Sequence, residues 1–253
     1  GFGPRQRAEL ETVNAQGTET LLRAAWENRV ERVLHVSTAG ILVNHGGIIT
    51  EEHFPEKPPF GCHYKSSKWR AEKRALEWAR RGLPVVIACP TCPIGAGDER
   101  PTPTGGMIRD FLRGKFPFSS RTGLNFIGVQ DLADGLLATI EKGRIGHRYI
   151  LGQENLWLEE FLALLAAATK LPAPRLRLPL SLITILGVAG ECADLLTRRT
   201  NGRLCIETAL QARRRQFFDP RKAKEELGWR PAAPLANAVQ EAVEWFRPLK
   251  QQT

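Results

Sequence analysis

No run of apolar residues in this chain is long enough to cross a bilayer. The most apolar stretch, Leu178 to Gly190, holds 13 residues with Pro179 inside it. A spanning helix needs about 20. The stretch reads as a buried helix, with a membrane-surface helix as the lesser alternative. No charged-then-apolar leader marks a secretory signal, so a cytoplasmic location is expected. Cysteine is sparse: the five, at 62, 89, 92, 192 and 205, are odd in number and unevenly spaced. They fit reduced thiols in a cytoplasm better than a disulfide framework. Internal repeats and low-complexity tracts are absent. The chain opens Gly1-Phe2-Gly3-Pro4 with no initiator methionine, so either a piece was removed or the sequence is a fragment.

What is present is an ordinary globular composition. The 253 residues are 42% hydrophobic and 25% charged, which excludes collagen, coiled coil and wholesale disorder. That length allows one large domain or two small ones. The formal charge of +9 favours anionic partners and says nothing about fold. Much of it sits between Arg198 and Arg230, where ten Lys/Arg face four Asp/Glu.

The order of patterns is that of an α/β protein. Leu10, Val13, Gly17, Leu21 and Ala24 recur at helical spacing and predict a helix over 8–28. Val33 to Ser37 reads as a buried strand. Residues 44–62 read as a loop, Tyr64 to Arg81 as a helix with Gly82 as its C′ residue, and Pro84 to Cys89 as a second buried strand. Near-continuous apolar runs of this kind suit a parallel sheet. Residues 91–106 read as loop and Met107 to Arg113 as a short helix. Leu124 to Val129 reads as a strand, the next stretch to Glu141 as a helix, and Tyr149 to Gly152 as a short strand. After Gly152 helical patterns dominate, over 156–170, 178–197, 205–214 and 234–247. This predicts a first domain over 1–152 and a mostly helical lobe over 153–253.

The chemistry-bearing constellation is His63-Tyr64-Lys65-Ser66-Ser67-Lys68. Tyr64 and Lys68 are four apart and share one helix face. A free phenol, with a pKa near ~10, is a poor proton-transfer group at neutral pH. A fixed ammonium beside it favours the phenolate and lowers that value. The pair therefore makes a general acid or base. Ser37 and Thr38, at the end of a strand, are placed to add a hydroxyl. Taken alone, Tyr-x-x-x-Lys turns up by chance, and the bland alternative is a solvated helix face.

The context of this pair is more specific. Asn14-Ala15-Gln16-Gly17-Thr18, the strand ending Ser37-Thr38-Ala39, Tyr64…Lys68, and Pro90…Pro93-Ile94-Gly95 resemble the extended short-chain dehydrogenase/reductases, the NAD-dependent epimerase/dehydratase group. Asp131-Leu132-Ala133-Asp134-Gly135 and the closing Lys222 to Pro231 look like later signatures of that group. Pro101 to Gly105, Tyr149 to Gly152 and Arg213 to Phe218 resemble its hopanoid-associated sugar epimerases, themselves similar to dihydroflavonol reductases. The resemblance spans essentially the whole chain.

It implies a Rossmann-like parallel sheet with a smaller helical substrate lobe, and NAD or NADP as cofactor. Tyr64 would move a proton on and off a substrate hydroxyl. Lys68 would lower its pKa and hold the nicotinamide ribose. Thr38 matches the catalytic Ser/Thr, with Ser37 as its neighbour and runner-up. Asn14 matches a cofactor-side Asn, and Pro90, Thr91, Cys92 and Pro93 would line the nicotinamide pocket. Thr102, Thr104 and Arg213 are candidates for substrate contact. The substrate would be a small molecule, a sugar or sugar nucleotide undergoing epimerisation, with net ketone or aldehyde reduction as the alternative. A homodimer through the helices bearing Asn14 and Tyr64 is expected by resemblance.

Three departures stand out. Cys89 replaces an Asn before the proline, and Gly128-Val129-Gln130-Asp131 replaces His-Val-Asp-Asp. A dinucleotide fold also needs a Gly-rich strand-to-helix turn for the pyrophosphate. Gly1-Phe2-Gly3 has no strand before it, and Gly95-Ala96-Gly97-Asp98 runs into prolines. The sheet is therefore expected to be truncated at its N-terminus with its first remaining strand as an edge, and a remnant acting only by protein contacts is a competing reading. Cys89-Pro90-Thr91-Cys92 has no second ligand pair, so neither a metal nor a redox role is expected of it. The basic stretch lacks the aromatic platform of single-strand binders, so no nucleic acid is expected. His35, Trp69, Trp78 and Trp157 read as packing residues.

Overall fold

The computed structural model describes residues 7–247 except 45, 60–61, 117, 175, 180–181 and 183–214. Arg213, Cys192, Cys205 and nearly all of the helices expected over 178–197 and 205–214 lie outside the described residues.

The first helical stretch begins as α1 (Arg7–Leu10), widens into a π-helical segment (Glu11–Gln16), and continues as α2 (Gly17–Glu27). The helix is continuous as expected, but its pitch is not. An extra residue per turn around Asn14 rotates the turns downstream of it, a device often found near functional sites.

β1 (Val33–Val36), β2 (Val85–Pro90) and β6 (Arg148–Leu151) form a parallel sheet in the order β1-β2-β6. Its register pairs Val33 with Val85 and Ile87 with Arg148. α3 (His63–Arg80) connects β1 to β2, and α5 (Val129–Lys142) precedes β6. Gly82, at φ +105°, follows α3 in a conformation that other residues rarely adopt. β2 is buried at all six positions, as its apolar run predicts. β1 is not: only His35 is buried and Val36 is 41% exposed. Its place at the end of the strand order explains this, since among the described residues only β2 flanks it.

The two faces of this sheet carry separate cores. Leu22, Ala75 and Trp78 pack on Val85, Ile87, Cys89 and Ile150. On the other face, Leu132 and Leu136 of α5 meet Ala88, Tyr149, Leu151 and Trp229.

Residues 91–106, expected as loop, hold two elements. β3 (Cys92–Ile94) leaves the first sheet and pairs parallel with β5 (Gly123–Gly128). α4 (Pro103–Leu112) starts four residues earlier than periodicity suggested. Pro103 is at its first position and Thr102 caps it, its Oγ1 accepting the Gly105 N–H at 3.1 Å. Proline is tolerated in a first turn, so a Pro/Gly-rich stretch is compatible with a helix start.

Past Gly152 the chain also adds strand. β7 (Glu154–Trp157) pairs antiparallel with β5, and β4 (Phe118–Ser119) pairs with β8 (Leu176–Arg177). α6 (Leu158–Thr169), α7 (Arg221–Glu226) and α8 (Leu235–Phe246) complete the described helices. Phe126, Phe161, Val243 and Phe246 share a third core with Ile94 and Phe111.

Candidate functional site

In open α/β sheets ligands bind beyond the carboxyl ends of the strands. Those ends carry the residues that the sequence pattern singles out. β1 runs into Ser37 and Thr38, and β2 ends at Pro90 before Thr91, Cys92 and Pro93. The first turns of α3 bring Tyr64 and Lys68 to the same end.

Cys62 caps α3, its Sγ accepting the Lys65 N–H at 3.4 Å. Asn14 donates to Ser67 Oγ at 2.9 Å, and Ser67 Oγ donates to the Tyr64 carbonyl at 2.8 Å. The π-helical turn thus aims Asn14 at the turn of α3 that carries Tyr64. Lys68 Nζ donates to the Val36 carbonyl at 2.7 Å, latching α3 onto β1.

Thr38 caps a short 3-10 turn (Ala39–Ile41), its Oγ1 accepting the Gly40 N–H at 3.2 Å. A side-chain carbon on Gly40 would stand 3.4 Å from Thr38 Oγ1 and 3.7 Å from Lys65 Nζ. Gly40 therefore lies beside both the Thr38 hydroxyl and the end of the buried Lys65 side chain. Ser37 is buried, and its Oγ has no hydrogen-bond partner among the described residues. Thr91 donates through both N–H and Oγ1 to the Leu151 carbonyl, which fixes the loop after β2.

The electrostatics differ from the expected pattern. Burial raises the Tyr64 phenol above its ordinary value, with Cys62 adding to the shift. The ammonium at Lys68 was expected to lower it, but Nζ is bound to Val36. Burial also lowers Lys68, while Glu72 and Cys89 oppose that shift. His35 is lowered to about 3, by burial first and Lys68 second. Cys92 is raised to about 11 by burial. Cys62, Cys89 and Cys92 are free thiols.

Of the other candidates, Thr104 is buried and hydrogen-bonds Cys92. Thr102 is exposed and works within its own helix end, donating through Oγ1 to Asp98 at 2.9 Å. Sequence reasoning missed Lys65, Glu72, Glu51 and Arg148, all close to this seam. For Glu72 the signal was available: it follows Lys68 by four residues.

A groove of about 550 Å³ between α2 and α3 uses a different face of α3, lined by Arg23, Trp69, Lys73, Arg74 and Arg81 among others. Among the described residues no helix is long and apolar enough to cross a membrane, and no group of three His, Cys, Asp or Glu is placed to hold a metal.

The parallel sheet with candidate residues gathered at its carboxyl ends is an α/β fold of the nucleotide-binding kind, and the comparisons with known proteins narrow it. Residues 4–152 match the NAD dependent epimerase/dehydratase family, and the chain belongs to that family. It is 36% identical to a putative dihydroflavonol 4-reductase of Synechocystis, over 96% of this chain and 72% of that protein. It is 30% identical to sterol demethylase protein B of Methylococcus capsulatus, covering 95% of this chain and 74% of that protein. Among solved structures, a nucleoside-diphosphate-sugar epimerase from Pseudomonas aeruginosa superposes with a TM-score of 0.78 at 32% identity, over 94% of this chain and 74% of that one. A UDP-glucuronic acid 4-epimerase from Bacillus cereus, at 17% identity and a TM-score of 0.75, shares the fold.

Proposed function

We propose that this chain's site serves NAD(P)-dependent oxidation–reduction at a hydroxyl-bearing carbon of a sugar or sugar nucleotide, most simply an epimerisation. The observation that carries this is the placement of Tyr64 and Lys68 one helical turn apart, over the ends of β1 and β2, with Lys68 latched to β1. The nucleoside-diphosphate-sugar epimerase among the structural neighbours supports the substrate class.

The residues present fit the nicotinamide end of the cofactor. Among the described residues the buried Ser37 Oγ lacks a hydrogen-bond partner at the end of β1, and the Pro90–Pro93 segment follows from the neighbouring strand end. Tyr64, Lys68 and that segment would hold it, and Asn14 would act through Ser67 and the turn of α3. When bound, the dinucleotide supplies the hydride donor and acceptor. The chain's part is proton transfer and position. Tyr64 Oη takes the proton from the substrate hydroxyl as that carbon is oxidised and returns it on reduction. Thr38 Oγ1 donates to the same substrate oxygen, with Ser37 as the alternative. Lys68 would favour the phenolate through its charge from one helical turn away, although in this structure its Nζ donates to the Val36 carbonyl. Thr102, Thr104 and Arg213 contact the substrate, and the site belongs to residues 1–152 with 153–253 forming the substrate lobe. The working state is a cytoplasmic homodimer through the helices bearing Asn14 and Tyr64, whose Val13 and Leu21 are 65% and 73% exposed.

A second reading, net ketone or aldehyde reduction, is favoured by the names of the two relatives at 36% and 30% identity. Calorimetry with NAD(H) and NADP(H) tests both. Micromolar binding, roughly −8 kcal/mol, is expected for the folded chain. Failure to bind would transfer the reading to a longer parent and favour a remnant. Loss of the reduced cofactor's near-ultraviolet absorbance during turnover would select reduction over epimerisation.

A further inference from the structure

Below the Tyr64/Lys68 pair lies a buried group that this chemistry leaves unused. Tyr64, Lys68 and Glu72 follow one another at intervals of four on α3, so they stand in one column down a single face. Glu72 is fully buried. Its carboxylate accepts from Arg148 Nε at 2.7 Å and from the Cys89 thiol at 3.8 Å. Arg148 lies on β6, 76 residues away in sequence. It is pinned by the Glu51 carbonyl at 3.1 Å and by the ring of Phe54 at 4.3 Å. The carboxylate is therefore fixed in position from behind while the column above it carries Lys68.

The groups that face Lys68 come from three elements. His35 is on β1, Cys89 on β2, and Tyr64 and Glu72 on α3 itself. Burial holds His35 neutral and Cys89 as a thiol. The Tyr64 phenol is protonated in the same way. That leaves Glu72 as the anion among the described residues facing the Lys68 ammonium. The ammonium's own hydrogen bond goes to a neutral carbonyl, Val36. A buried ion pair is weak evidence for stability, because a packed apolar pair of similar volume often serves as well. A buried carboxylate one turn from a working lysine has an electrostatic role open to it that an apolar side chain lacks.

We propose that Glu72, locked by Arg148, is a positioning residue whose carboxylate keeps the Lys68 ammonium protonated and seated against β1. The inference rests on the reading of Tyr64 and Lys68 as the proton-transfer pair. It predicts that burial draws the Lys68 proton affinity down and that Glu72 offsets part of this.

The test needs neither substrate nor cofactor. The full chain is labelled with ¹³C at lysine Cε and titrated by NMR, with the Lys68 resonance identified by its loss in Lys68→Met. In Glu72→Gln the Lys68 midpoint should fall, with proton affinity about tenfold weaker or more, the effect of removing one nearby opposite charge. Glu72→Gln leaves Arg148 unpaired, so a second variant, Glu72→Met with Arg148→Met, removes both charges and restores an apolar pair. It should show a fall of the same sign but smaller size, because the Arg148 cation is removed together with the carboxylate. An unchanged Lys68 midpoint in either folded variant overturns the proposal and makes Glu72 a core ion pair only. The reading of the site fails on different evidence, namely full turnover by Tyr64→Phe, so the two failures are separable.

Discussion

Tyr64 and Lys68 are moved in opposite directions by one cause. Burial raises the phenol and lowers the ammonium, because each loses its charged form on leaving water. The raised phenol stays protonated at neutral pH, so the proposed chemistry should run in the reducing direction there and its oxidising direction should accelerate as pH rises. The chain has two tyrosines, Tyr64 and Tyr149. In a Tyr149→Phe background, tyrosinate absorbance therefore reports Tyr64 alone, and its midpoint should lie above that of a free phenol. Tyr64→Phe should lower turnover by about 10²–10⁴-fold, the usual worth of a positioned acid–base group. An unchanged rate in a folded variant would remove Tyr64 from the chemistry. Thr38→Val should impair turnover in the same sense and also loosen the 3-10 turn, because Oγ1 caps it.

At the scale of elements, the two helix starts near the site owe their positions to caps. Thr102→Ala should cost about 1 kcal/mol of stability through α4, a loss typical of N-cap threonines and read as a drop in thermal midpoint. Should Thr102 also touch substrate, the Michaelis constant will rise independently of that drop. The α1–α2 stretch exposes Val13 and Leu21. Leu21→Glu should shift a dimer to monomer in sedimentation velocity while leaving helix content unchanged. A monomeric wild-type chain at micromolar concentration would exclude the proposed dimer. The spacing of Tyr64 and Lys68 was legible because a helix maps a four-residue interval onto one face whatever surrounds it. The start of α4 was less legible, since the prolines and glycines of 91–106 suit a loop and a capped first turn equally well.

For the molecule as a whole, His35 sets an acid limit. Its pKa falls from 6.5 to about 3 on folding. The unfolded chain therefore binds the proton first, and stability rises with pH through that interval and is lost as pH falls through it. Denaturant midpoints measured from pH 7 down to pH 4 should decline, and His35→Leu should flatten the decline by up to one proton's slope, about 1.4 kcal/mol per pH unit. An equal slope in the variant would assign the acid limb to other groups. On the alkaline side Cys92, raised to about 11, works in the opposite sense: stability falls as pH rises from the ordinary thiol range towards that value.

Much of this protein is set by local pattern. Apolar runs placed β2 and β5, helical periodicity placed α3, α5 and α8, and the Tyr64/Lys68 interval located the candidate site. Those properties depend on neighbours in the chain, where steric and hydrogen-bonding rules act within a few residues. Tertiary structure decided the rest, because it depends on which distant segments meet. Only folding brings Arg148 to Glu72, sends β3 into a second sheet to pair with β5, and lays β7 antiparallel beside it. Folding also sets the sign of the Tyr64 shift: its direction turns on the burial of the phenol and on Cys62 beside it. Neither is written in a four-residue spacing.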